Sequence, residues 1–175
     1  GYDPEPGTLM AKLNVRGAAL AKELCAKLDV PYWQCGSFVL AFPPKEEATL
    51  RTLQQRGQDN GVPGLEVLTG DQARAMDPNL SSQVTAALWA PTAAICSPWE
   101  YCLALAETAV RNGADLRLDT AVTGLERLED GWLVHTNQGD FRSRYVNSAA
   151  GVSAQTIHEM AAPASFTIHP SRGQY

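Results

Sequence analysis

The chain has 175 residues, 45% of them hydrophobic and 19% charged, and its 14 Lys and Arg against 19 Asp and Glu leave a net charge of −5. This is a soluble globular composition, long enough for one full domain or two small ones to bury an apolar core without disulfide staples. The longest apolar runs, such as that around Phe38 to Phe42, fall far short of the ~20 residues a membrane span needs, and the start carries no signal-peptide pattern. The mild acidic excess also lacks the Lys/Arg cluster on which counterion release depends, so a transmembrane chain and a nucleic-acid partner are both excluded.

After the turn-rich Asp3-Pro4-Glu5-Pro6-Gly7, residues Leu9, Leu13, Leu20, Leu24 and Leu28 recur at steps of four or seven. This period predicts one long amphipathic helix from Thr8 to Leu28, in which Gly17 marks a close helix approach or is merely tolerated. Gly36 to Phe42 reads as a short apolar strand stopped by Pro43-Pro44, where the ladder loses its donors. A second helix is expected from Lys45 to Gln58, closed by the turn residues Asp59 to Gly64, and a brief strand around Val67 follows. Thr69-Gly70-Asp71-Gln72 has capping-box spacing and predicts one or two helical turns to Met76.

Val84 to Ala90 alternates like a strand, Pro91 and Thr92 turn the chain, and Ala94 to Cys96 is extended. Ser97-Pro98-Trp99-Glu100 then places Ser at the N-cap, Pro at the first helical position and Glu where it reaches back to the cap. That helix is expected to end at Asn112 with Gly113 as its C-terminal cap, its Trp99, Leu103, Ala106 and Val110 face packing into a core. Four short strands follow, Leu116 to Leu118, Ala121 to Leu128, Trp132 to Thr136 and Phe141 to Ala149. Hairpin turns at Glu129-Asp130-Gly131 and Asn137-Gln138-Gly139-Asp140 make the stretch from Ala121 to Ala149 an antiparallel meander. A helix from about Ser153 to Met160 and a last strand from Phe166 to Tyr175 complete an α+β chain of mixed sheet and helix.

Cys25, Cys35, Cys96 and Cys102 fit no zinc spacing and read as buried or half-buried free thiols, a cytosolic habit. His135, His158 and His169 are isolated from one another, so no metal site is expected. The turn Ala149-Ala150-Gly151 carries little side-chain bulk ahead of a helix start, which is the physical recipe for receiving a phosphate, although small residues there also serve close packing. The full GxGxxG fingerprint is absent. Arg172-Gly173 offers a cation suited to a carboxylate or phosphate, with an edge-strand arginine as the alternative.

Several segments together resemble FAD-dependent oxidoreductases of the D-amino-acid-oxidase-like superfamily, in the subgroup of glycerol-3-phosphate dehydrogenases and L-2-hydroxyglutarate oxidases. They are Tyr2-Asp3-Pro4-Glu5-Pro6-Gly7-Thr8-Leu9, Cys35-Gly36-Ser37, Asn60-Gly61-Val62-Pro63-Gly64-Leu65, Ala90-Pro91-Thr92, Ser97-Pro98-Trp99-Glu100, Thr120-Ala121-Val122-Thr123-Gly124, Tyr145 to Gly151, and Pro170 to Tyr175, in the family's order. The resemblance implies a two-domain flavoprotein with an FAD domain of the glutathione-reductase type. Residues 1–98 would be mostly substrate domain, 99–160 a partial FAD domain, and 161–175 the start of a returning substrate-domain strand. It implies that Val122 faces the adenine side of FAD, that Ala149, Ala150 and Gly151 face the diphosphate, and that Arg172 and Gly173 approach the substrate beside the flavin.

The family's N-terminal strand, glycine fingerprint, ribose-binding acid, loop histidine and C-terminal flavin loop have no counterpart here, and Met10 stands where relatives often carry lysine. With Gly1 at its start and Tyr175 inside an expected strand, the chain therefore reads as an internal fragment. The parent is expected to be cytoplasmic and to oxidise a small anionic substrate, glycerol 3-phosphate first and L-2-hydroxyglutarate second, by hydride transfer to flavin. Its electron acceptor and any peripheral membrane association stay open, and no catalytic base is assigned within the chain. An amino-acid or amine oxidase of the same superfamily and a non-catalytic α+β binding module are the alternatives.

Overall fold

A computed structural model describes residues 1–42 and 44–173. The chain forms two compact units, Gly1–Ala114 and Asp115–Tyr175.

The first unit opens with helix α1 (Leu9–Lys27), whose N-cap Thr8 accepts from the Ala11 N–H. Strands β1 (Tyr32–Trp33) and β2 (Ser37–Ala41) follow, and a 3-10 turn (Pro44–Glu46) leads into α2 (Glu47–Asp59). Strand β3 (Glu66–Thr69) runs straight into α3 (Gly70–Met76) through the expected capping box. Thr69 Oγ1 accepts from the Gln72 N–H while Gln72 Oε1 accepts from the Thr69 N–H. Strand β4 (Ala86–Ala90), β5 (Ile95–Cys96) and α4 (Pro98–Arg111) complete the unit. Ser97 caps α4 by accepting from the Glu100 N–H, and Gly113 beyond its end has φ +94°.

Strand β4 is the centre of an antiparallel sheet in the order β2-β4-β3, and β1 pairs antiparallel with β5. The core sits where α2 crosses β4. Leu50, Leu65, Leu88, Ala41, Ala86 and Ala90 are buried there, with Tyr2, Val39 and Leu53 packed against them. Alanines on β4 let the helix backbone come close to the sheet, and burying the three leucines and their neighbours drives the closure.

The second unit is built on a meander, β6 (Val122–Leu128), β7 (Gly131–Thr136) and β8 (Gly139–Ser143), in the order β6-β7-β8. Leu128 pairs with Gly131 and Thr136 with Gly139, so both hairpins turn on two residues, Glu129-Asp130 and Asn137-Gln138. A 3-10 turn (Gly151–Ser153) leads into the short helix α5 (Ala154–Glu159).

The mixed architecture with antiparallel sheets is the expected one, and several local expectations are corrected. Leu116–Leu118 forms no strand, the strand expected to reach Ala149 ends at Ser143, and residues 166–173 join no ladder. Gln174 and Tyr175, the end of that last expected strand, lie outside the described residues, as does Pro43. A strand needs a partner to satisfy its N–H and C=O groups, and these stretches have none among the described residues. The apolar face of α4 is exposed rather than in a core, with Trp99 at 81% and Leu103 at 64% exposure. Only Cys25 of the four free thiols is buried; Cys35, Cys96 and Cys102 are exposed. Gly17 has no neighbour close enough to meet an added Cβ, so it is tolerated in the helix rather than required by a close approach.

Candidate functional site

All six residues singled out from the sequence fall in the second unit. Val122 begins β6, opposite Thr136, beside an irregularity in register between Val122 and Gly124. Its position is set by Asn137 in the next hairpin. The Asn137 side chain accepts from the Ala121 N–H at 2.7 Å and donates to the Asp119 carbonyl at 3.0 Å, while its own N–H donates to the Ala121 carbonyl. Asp119 has φ +53°, a conformation an aspartate tolerates better than most residues. Asn137 thus pins the entry of β6, a role that its asparagine-in-a-turn signal alone did not disclose.

Ala149 and Ala150 are exposed and lie outside any regular element, and Gly151 opens the 3-10 turn before α5. Gly151 has φ +55°, and a Cβ built on it would meet nothing within 4 Å. Among the described residues the N–H groups of Ala149, Ala150 and Gly151 have no acceptor. Three consecutive free donors with open space in front of a backbone that favours glycine form a cradle in which an anionic phosphate oxygen would be held by N–H groups. The sequence located this turn correctly, although it reached it as the end of a strand and the structure reaches it through irregular chain.

The segment after α5 folds back on that helix. The Ile168 N–H donates to Gln155 Oε1 at 2.9 Å, and His158 Nε2 lies 3.0 Å from Ser165 Oγ and 3.1 Å from the Pro163 carbonyl. The His158 ring is 5.0 Å from that of Phe166. These contacts fix the chain that leads to Arg172 and Gly173, both exposed. Arg172 has no ion-pair partner among the described residues, so its charge is available to an anion. Neither Val122, nor the turn, nor Arg172 is hydrogen-bonded to another of these three positions among the described residues. An apolar cavity of about 350 Å³ adjoins α5, lined by Leu125, Trp132, Ile157 and Phe166 among others. A second, of about 410 Å³, lies in the first unit between α1, Tyr32 and the Gly61-Val62-Pro63 turn, and no sequence signal announced it. Among the described residues no cluster of His, Cys, Asp or Glu is arranged to hold a metal, and no helix is long and apolar enough to cross a membrane.

Comparison with known proteins gives the family of the chain. Residues 1–175 match the DAO family, described as FAD dependent oxidoreductase. The chain is 42% identical to glycerol 3-phosphate dehydrogenase of Caloramator mitchellensis over all of its residues, which span 36% of that relative. It is 32% identical to the mitochondrial L-2-hydroxyglutarate dehydrogenase of Mus musculus, over 99% of the chain and 39% of the relative. Among solved structures, the L-alpha-glycerophosphate oxidase of Mycoplasma pneumoniae with FAD bound superposes with a TM-score of 0.84 at 26% identity, over 91% of this chain and 44% of that one. L-proline dehydrogenase of P. horikoshii gives 0.79 at 28% identity, over 86% and 40%. The chain therefore spans well under half the length of these relatives, and it belongs to the family of FAD-dependent oxidoreductases.

Proposed function

We propose that this chain is part of a cytoplasmic flavoprotein dehydrogenase that oxidises a 2-hydroxy compound, glycerol 3-phosphate in preference to L-2-hydroxyglutarate. The observation that carries the choice is the 42% identity to a glycerol 3-phosphate dehydrogenase across the whole chain, against 32% to an L-2-hydroxyglutarate dehydrogenase. Residues 1–98 would belong mostly to the substrate domain, 99–160 to the FAD domain and 161–175 to a returning substrate-domain segment. The three exposed free thiols support a reducing compartment.

The turn Ala149-Ala150-Gly151 fits FAD on the grounds given above. Its three N–H donors would hold the diphosphate, and the left-handed Gly151 leaves the approach unblocked. Val122, held at the start of β6 by the Asn137 clamp, would present backbone on the adenine side. FAD, when bound, supplies the two-electron acceptor for the hydride of the carbinol carbon. Arg172 would hold the substrate's phosphate or carboxylate with charge-assisted hydrogen bonds, and Gly173 beside it would let the chain pass close to the substrate. Holding the anion in one orientation is the chain's share in positioning the carbinol hydrogen for transfer.

A steady-state comparison of glycerol 3-phosphate, L-2-hydroxyglutarate and a panel of amino acids, using the full-length protein and an artificial electron acceptor, tests the reading. The highest kcat/KM is expected with glycerol 3-phosphate. A preference for an amino acid would overturn it.

A further inference from the structure

The cavity of about 410 Å³ in the first unit has one wall made by a single helix face. Val15, Ala18, Ala19 and Lys22 stand at i, i+3, i+4 and i+7 along α1, so they share that face, and all four line the cavity. Alanine at two of these positions keeps the wall low, as do Ala90 at the end of β4 and Ala93 beyond it. Val62 and Pro63, from the turn after α2, add apolar surface. That turn is tied to the start of the chain by Asn60, whose Nδ2 donates to the Gly1 carbonyl at 3.0 Å and to the Pro4 carbonyl at 2.9 Å. Gln34, also on the walls, is held by donating its Nε2 to the Pro91 carbonyl at 3.1 Å. The protein's own hydrogen bonds therefore shape this cavity.

We propose that this cavity is a binding site for a small organic monocarboxylate with an apolar body. Among the described residues Lys22 is the one charged side chain on its walls, and it has no ion-pair partner. Tyr32 and Thr92 bring hydroxyl-bearing side chains to the same walls. An apolar interior with a few polar groups is the composition of small-molecule sites, whose volumes run from ~300 to ~1,000 Å³. One ammonium matches one singly charged head. A carboxylate would accept a charge-assisted hydrogen bond from Lys22 while its body covers Val15, Val62 and the alanines. A cationic ligand would be repelled by Lys22, and a doubly charged phosphate ester would bring more charge than one lysine offsets. The cavity has roughly the volume of a dozen water molecules in the liquid, which suits a ligand of roughly ten non-hydrogen atoms, the size of octanoate. It belongs to the first unit, whereas Arg172 belongs to the second.

The test is isothermal titration calorimetry of the full-length protein with octanoate, 1-octanol and octylamine. Octanoate is expected to bind, 1-octanol to bind roughly tenfold or more weakly, and octylamine not to bind. Lys22→Gln, at an exposed position, should weaken octanoate by roughly tenfold or more and leave 1-octanol unchanged, the scale of one charge-assisted hydrogen bond. Ala19→Trp puts an indole into the cavity and should abolish octanoate binding, with circular dichroism checking that the fold is kept. Arg172→Ala should leave octanoate binding unchanged, which separates this site from the one proposed for the oxidised substrate. Absence of octanoate binding, equal binding of octylamine, an affinity that Lys22→Gln leaves untouched, or binding that survives in folded Ala19→Trp would each overturn the proposal.

Discussion

A Cβ added to Gly36 would overlap the indole of Trp89 on the neighbouring strand. The six-membered ring of Trp89 occupies the space beside this glycine and tilts against Phe38, with ring centroids 4.7 Å apart. Gly36 also has φ +74°, so the position excludes a side chain both by backbone conformation and by space.

Gly36→Ala should therefore destabilise the first unit by roughly 2–4 kcal/mol, the sum of backbone strain and overpacking. Gly113→Ala separates the two causes. Its φ of +94° carries the backbone penalty, yet nothing lies within 4 Å of an added Cβ, so a loss of about 1–2 kcal/mol is expected. Denaturant titrations of the two variants check this; equal losses would contradict the role given to Trp89.

Thr69→Ala removes the hydroxyl that accepts from the Gln72 N–H and breaks the reciprocal cap of α3. A loss of about 1 kcal/mol is expected in the same titration. Gln72→Ala should reproduce part of it, because only the return bond to the Thr69 N–H is lost.

Local signals carry most of the elements that form. The two capping signals and the two hairpin turns each rest on residues within four positions of one another; the Thr69 box and both turns form, while at α4 Ser97 caps the Glu100 N–H and Glu100 makes no return bond to the cap. Failures came where the deciding partner is remote. Leu116–Leu118 and Phe166 onward have strand-like residues, but a strand is a pairing, and no sequence pattern within a segment says whether another strand lies beside it. The Trp99 and Leu103 stripe of α4 has the right period for a buried face, and period says which residues share a face, not what covers it. The Ala149-Ala150-Gly151 turn was legible because small residues at that position have a direct backbone consequence. The pairing of β1 with β5 was not, since its two strands lie about sixty residues apart in sequence.

Stability should fall at alkaline pH through Cys25. Burial first, and the neighbouring Cys96 thiol next, raise the Cys25 thiol above its ordinary value of 9.0. The folded chain then keeps a proton that the unfolded chain releases. Stabilisation from the neutral thiol is complete below the ordinary value and is lost as pH rises from it through the raised folded value. Denaturant midpoints measured from about pH 8 to about pH 10 should decline, and less steeply in Cys25→Ala. Equal slopes would contradict the buried, protonated state of this thiol.

In the full-length protein, Gly151→Val should weaken flavin binding by roughly tenfold or more, since a β-branched residue resists φ +55° and its side chain would enter the open approach. Flavin content after dialysis measures this, with circular dichroism checking that the fold is kept. Undiminished flavin would remove the turn from the cofactor site.

Arg172→Ala should leave flavin content unchanged and raise KM for the anionic substrate by roughly 10- to 100-fold, the scale of a charge-assisted hydrogen bond. Arg172→Lys should recover part of the loss by restoring charge without the planar fork. An unchanged KM in Arg172→Ala would end the anion-holding role.

A protein that passes a substrate hydride to flavin from a 2-hydroxy compound loses its flavin absorbance when that compound is added without oxygen. The transfer is tested most directly by following the flavin absorbance of the full-length protein during anaerobic titration with glycerol 3-phosphate and then with L-2-hydroxyglutarate. Bleaching by glycerol 3-phosphate at the lower concentration is the predicted result; bleaching by neither compound would contradict the account.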